Sequence, residues 1–140
     1  MQNLRMTSES HPRPEDIEVI RNAVDQFNVA VTNDANYSPI AIFLRDERGA
    51  VLGGVLGDVW GGWLHITFLW VAESLRHQSY GGRLLGAAEE QARAQGGRNA
   101  YLETFSFQAR PFYERFGYQV FAELPDFPAG HTYYFMQKAL

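Results

Sequence analysis

The sequence predicts an α/β fold of the α+β kind: a mixed, mostly antiparallel central sheet with helices on both faces. Three observations carry this. Residues 63–71, Trp63-Leu64-His65-Ile66-Thr67-Phe68-Leu69-Trp70-Val71, are apolar almost throughout, as a strand covered on both faces should be. That strand runs through a polar loop into a helical pattern and then a second strand, residues 99–105, which a right-handed crossover sets parallel to the first. The remaining strands are short and joined by tight turns, so they pair antiparallel.

The chain has 140 residues, which predicts one domain over residues 1–140, with residues 1–12 a loose polar tail. Hydrophobic residues make up 46% and aromatics 14%, enough for a sizeable core. No apolar run approaches the ~20 residues of a membrane span. The start also lacks the apolar stretch of a signal peptide. A cytoplasmic protein away from membranes is therefore expected. A net charge of −4 argues against nucleic acid, whose phosphates need a basic surface. The absence of cysteine excludes disulfides, zinc–thiolate sites and a cysteine-bound acyl intermediate, and no metal is expected. Any covalent intermediate on this chain would need another nucleophile.

In order, Arg13-Pro14-Glu15-Asp16 opens a helix, with proline and acidic residues in its first turn. Ile17, Ile20, Val24, Phe27 and Val31 give it one apolar face. Residues 32–39 form a polar loop. Residues 40–45 are a buried strand, 46–49 a turn, and 50–60 a second strand. The interior glycines Gly53, Gly54 and Gly57 of that strand signal a bulge or a close neighbour. Gly61-Gly62 is a hairpin turn leading into the central strand. In the helix over residues 81–95, Leu84, Leu85, Ala88 and Ala92 face inward, while Arg83, Glu89, Glu90 and Arg93 face water. Gly96-Gly97 closes it with a left-handed cap. Residues 108–116 form a short helix with Pro111 in its first turn. Residues 118–121 and 132–138 are the last two strands.

The stretch 69–85 carries the chemistry. A helix N-terminus has unpaired N–H groups and a partial positive charge, and Gly81 and Gly82 let a ligand approach them. Arg76 and Arg83 flank the turn. Phosphate or pyrophosphate fits such a site. No Lys-Ser/Thr follows the glycines, so this is not a P-loop, and the three-glycine dinucleotide fingerprint is absent.

Arg76-His77-Gln78-Ser79-Tyr80-Gly81 resembles motif A of the GNAT acyltransferases, Gln/Arg-x-x-Gly-x-Gly/Ala, with Ser79 in place of the middle glycine. Downstream, residues 106–118 resemble that family's Asn-x-x-Ala-x-x-x-Tyr-x-x-x-Gly-Phe signature. There Ala109, Tyr113 and Gly117 match, while Ser106 replaces Asn and Tyr118 replaces Phe. The resemblance runs from about residue 40 to the C-terminus. It implies a sheet splayed between two parallel central strands, residues 63–71 and 99–105, with acetyl-CoA entering where they part.

The resemblance also implies roles. The backbone of Leu69, Trp70 and Val71 would pair with the pantetheine amides, and an N–H near Val71 would polarise the thioester carbonyl. The main chain around Gln78, Ser79, Tyr80, Gly81 and Gly82, with Arg76 and His77, would hold the pyrophosphate. Ser106 stands at a cofactor-side position. Tyr113 would protonate the departing thiolate. His65, six residues before Val71, stands where the histone-acetylating branch has a glutamate. Its ordinary pKa of about 6.5 suits a general base. Glu103, His131 and a water chain compete for that role.

The implied activity is transfer of acetyl from acetyl-CoA to an amine of a small molecule or peptide. A non-catalytic CoA-binding module on the same fold is the alternative. A phosphate-binding α/β domain, or an interaction protein using its many aromatics, are more distant ones. Asp34 and Asp126, in the loops that would border the acceptor, suit a cationic amine, and the late hairpin offers an edge for a homodimer.

Overall fold

Gly61 and Gly62 adopt φ of 62° and 84°, and two consecutive positive values close the tightest kind of hairpin. That turn joins β2 (Val51–Trp60) to β3 (Trp63–Val71), and the other strands assemble around the pair. The computed structural model describes residues 2–140. Its elements in order are α1 (Pro14–Thr32), β1 (Ser38–Arg45), β2, β3, a 3-10 turn (Glu73–Leu75), α2 (Tyr80–Ala94), β4 (Asn99–Phe105), α3 (Arg110–Arg115), β5 (Gln119–Pro125) and β6 (Thr132–Ala139). The strands form one six-stranded sheet in the order β1-β2-β3-β4-β6-β5. Every pairing is antiparallel except β3 with β4. The mixed GNAT-like sheet expected from the sequence is therefore present, with its one parallel pair at the centre.

Two compact units divide the chain, one through Ala35 and one from Asn36 to Leu140. In the first, α1 starts where Pro14 fixes its backbone, with Glu15 and Asp16 in the first turn. It ends at Asn33, whose φ of 54° is the left-handed stop. The apolar face expected from its 3.6-residue repeat is present, but it buries no residue.

In the second unit, α2 lies against β1, β2 and β3. Alternate residues of every strand but β5 turn to that side: Ile40 of β1, Val55 and Val59 of β2, Leu64 and Ile66 of β3, Ala100 and Leu102 of β4, and Met136 of β6. They meet Leu84, Leu85, Ala88 and Ala92 of α2, with Tyr113 of α3 and Tyr118 completing the cluster. One residue departs from expectation. The helical pattern places Glu89 on the wet face, yet it is only 5% exposed. It follows Leu85 by one helical turn and so shares the buried face. Its charge is met there: Tyr118 donates its hydroxyl to Oε2 (2.8 Å), and Lys138 Nζ donates to both oxygens (2.9 and 3.0 Å).

The helix after β4 is shorter than its pattern suggested. Gln108 folds its side-chain oxygen back to accept the Phe105 N–H (2.9 Å), and Thr104 Oγ accepts the Ala109 N–H (3.3 Å). Residues 106–109 are thereby held as turns, and the helix begins at Arg110. Among the described residues, no helix is long and apolar enough to cross a membrane, and no His/Cys/Asp/Glu group could hold a metal ion.

Candidate active site

β3 and β4 pair only from Trp63↔Asn99 to Ile66↔Leu102. Beyond that rung each strand stays in register with its other neighbour, Val71 opposite Gly53 of β2 and Phe105 opposite Tyr133 of β6. The two central strands therefore part. A local cause lies in β2–β3, where the register passes from Gly57↔Ile66 to Leu56↔Phe68 and leaves Thr67 without an opposite number. Such a bulge bends a strand and raises its twist. Gly57 fits this bend because a Cβ there would run into the His65 carbonyl.

Alternate residues of an antiparallel strand turn their N–H and C=O to opposite sides. Ala72 donates its N–H to Leu52 O of β2 (2.8 Å), so the main-chain groups of Val71 and Leu69 turn towards the gap that β4 leaves. Arg76 Nε donates to the Val71 carbonyl (3.0 Å), folding the guanidinium back over the gap.

The loop that follows winds tightly. His77 and Ser79 both sit at positive φ, 62° and 70°, and Ser79 is the residue that precedes α2. The helix's first N–H groups have no partner within it. Gly82 keeps the helix start slim, because a Cβ there would meet the Phe116 ring of the neighbouring turn.

Between the end of β3, the start of α2 and the α3 segment lies a cavity of about 1110 Å³. Leu69, Trp70, Val71, Arg76, His77, Ser79, Tyr80, Gly81 and Gly82 line it on one side, and Tyr113 on the other. Phe107, Phe112, Arg115 and Phe116 also line it, and none of these was singled out from the sequence. Their signal is present in the sequence: Phe112 on the helix that carries Tyr113, and Phe116 at its C-cap, lie four residues apart. Gln78 and Ser106 are not among the lining residues. Gln78 Nε2 donates to Ser74 O (3.2 Å). Ser106 exchanges two hydrogen bonds with Thr132, its N–H to Thr132 O (2.8 Å) and its Oγ from Thr132 N–H (3.0 Å), so it ties β4 to β6.

Tyr113 is 8% exposed and packs edge-on against Phe112 and Tyr118. Burial pushes its phenol up to about 12, so the hydroxyl keeps its proton at any physiological pH.

His65 belongs to the sheet face opposite α2, since it alternates with the buried Leu64 and Ile66. Its Nε2 lies 2.9 and 3.1 Å from the two oxygens of Glu103, and its ring stacks on Tyr101 at 4.3 Å and 3°. Two candidates for one role, read as competitors in the sequence, thus form a single pair. In neutral histidine the nitrogen facing a carboxylate carries the proton, which leaves Nδ1 as the basic atom. Tyr101 has its phenol raised, first by burial and then by the charges of Glu103 and Asp58. His131, the other candidate, has Nδ1 3.4 Å from Ser106 Oγ and packs edge-on to Phe107.

A parted strand pair over a large cavity, with a helix start at one end and a buried phenol at the other, is the build of an enzyme that uses an acyl-CoA as donor. The chain belongs to the GNAT acetyltransferase family: the model for "Acetyltransferase (GNAT) family" matches residues 3–118. It is similar to a blasticidin-S acetyltransferase of Streptomyces morookaense, 41% identical over 101 residues, covering 71% of this chain and 74% of that one. A crystal structure of an acetyltransferase from Bacillus cereus superposes with a TM-score of 0.83 at 35% identity, over 96% of this chain and 98% of that one. An aminoglycoside 6'-N-acetyltransferase solved with coenzyme A shares the fold at a TM-score of 0.65 and 17% identity, over 92% of this chain and 95% of that one.

Proposed function

We propose that this acetyltransferase moves the acetyl group of acetyl-CoA onto an amine of a small molecule or peptide by direct attack. The observation that carries the reading is the parting of β3 and β4 beyond Ile66 and Leu102. It opens main-chain groups of β3 to the cavity and leaves the last rungs of the pair next to His65 and Glu103. The pantetheine arm lies along Leu69–Val71, and the pyrophosphate sits on the N–H groups of Tyr80, Gly81 and Gly82, with Arg76 swinging from Val71 to add charge.

The acceptor amine gives its proton to His65 Nδ1, and Glu103 steadies the imidazolium that forms. The free lone pair attacks the thioester carbon. The oxyanion is stabilised by the N–H of Val71. When the carbon–sulfur bond breaks, the thiolate takes the Tyr113 proton, and the phenolate recovers one from the nitrogen, which sheds its second proton as the amide forms. Burial raises this phenol to about 12, above the ordinary thiol value of about 8.5, so it is the weaker acid of the two and gives up its proton only as the thiolate's charge is also shut away from water.

The similarity to an enzyme named for blasticidin S favours a small-molecule acceptor over a peptide. Calorimetry with acetyl-CoA, followed by a thiol-release screen over amine classes, tests the reading. Saturable binding and CoA release with at least one amine are expected. Absence of binding at high micromolar acetyl-CoA overturns it.

A further inference from the structure

Asp58 lies on β2 directly opposite His65 of β3. Opposed side chains share a face, with Cβ atoms ~5 Å apart. Next to Asp58 on the other side is Pro39 of β1, and along β2 the same face carries Leu56 and Trp60. The carboxylate is half-buried in these largely apolar surroundings, yet it makes no hydrogen bond or ion pair among the described residues. Its charge is nevertheless felt across the sheet, because it helps raise the Tyr101 phenol. A carboxylate partly withdrawn from water without a cationic partner is unfavourable. Glu89, the one acidic side chain among the described residues that is fully buried, shows the ordinary solution, being held by Lys138 and Tyr118.

We infer that Asp58 sets acceptor specificity by holding a second cationic group, an ammonium or guanidinium, on the molecule whose free amine is attacked beside His65. The inference rests on the acceptor lying at the His65–Glu103 pair as proposed above. The attacked nitrogen cannot itself be the group Asp58 serves, because it must be neutral at the moment of attack and a carboxylate would hold it charged. The cation therefore belongs to another part of the acceptor. It lies about one strand spacing, ~5 Å, from the base, which suits a short diamine or an amino-guanidine.

Agmatine and n-butylamine present the same four-carbon amine with and without a guanidinium. The wild-type enzyme should acetylate agmatine with at least tenfold higher kcat/KM than butylamine. Asp58→Asn should abolish the difference through KM for agmatine, leaving kcat and acetyl-CoA affinity unchanged. Asp58→Glu should retain the preference. Calorimetry of agmatine against the CoA-saturated protein reads the same contact without turnover, and binding should weaken at least tenfold in Asp58→Asn. No preference in the wild type, equal effects of Asp58→Asn on both amines, or agmatine binding that ignores the substitution would each overturn the inference. Loss of acetyl-CoA binding by the wild-type protein would instead strike the proposed function, so the two failures are separable.

Discussion

Tyr113 shows how much one buried side chain can be asked to do. It lines the cavity, yet its ring belongs to the core beside Tyr118. Removing only the hydroxyl separates the two roles. Tyr113→Phe should lower kcat by about 10²-fold, the usual scale of a proton donor, while the dissociation constant for acetyl-CoA stays within about twofold. Parallel loss in both would assign Tyr113 to packing. Ser79 poses the opposite question, because it departs from the family's glycine yet adopts the left-handed conformation glycine favours, φ 70°. A non-glycine residue there costs about 1–2 kcal/mol, partly offset because serine has less freedom to lose on folding. Ser79→Gly should therefore stabilise the protein by up to about 1 kcal/mol in thermal melts, without weakening acetyl-CoA binding. A destabilised variant would mean that the serine side chain makes a compensating contact.

Among the elements, β3 and α2 carry most of the specification. β3 is bent by an unmatched residue, Thr67, and the glycine opposite the bend accommodates it. α2 is anchored through Glu89, which joins it to β6 by way of Lys138 and to the start of β5 by way of Tyr118. Breaking one side of a buried ion pair leaves a charge without its partner and costs about 3–5 kcal/mol. Lys138→Met should show a loss of that order in urea denaturation. Adding Glu89→Leu should recover part of it, since the two positions are coupled. Simple additivity would mean that Glu89 is already satisfied by other groups.

At the scale of the whole molecule, the two tyrosines of the core set an alkaline limit. Tyr113 is raised from 10 to about 12 by burial, and Tyr118 is raised by burial and by Glu89. Both phenols stay protonated longer in the folded chain than in the unfolded one. Their contribution is complete below pH 10 and is lost as the pH climbs through the folded values. Tyr113 alone accounts for about 2–3 kcal/mol between pH 10 and 12. Stability measured by denaturation should fall steadily above pH 10, and the slope should be shallower in Tyr113→Phe. A flat profile to pH 12 would show that the phenols ionise without unfolding the core.

The sequence by itself determined what depends on neighbours along the chain. Gly61-Gly62 set the hairpin, the apolar run 63–71 marked the central strand, and the residues around Ser79, Gly81 and Tyr113 were enough to indicate an acetyltransferase. The first two rest on backbone preference and short-range periodicity, which are written locally, and the third on the resemblance of two short motifs to a known family. The tertiary structure decided what depends on register between strands far apart in sequence. It joined His65 to Glu103 across 38 residues, set Asp58 opposite His65, and turned Glu89 inward where Tyr118 and Lys138 could meet its charge. A polar residue's fate is fixed by its partners, and the pattern of the chain alone does not say which partners the sheet will bring beside it.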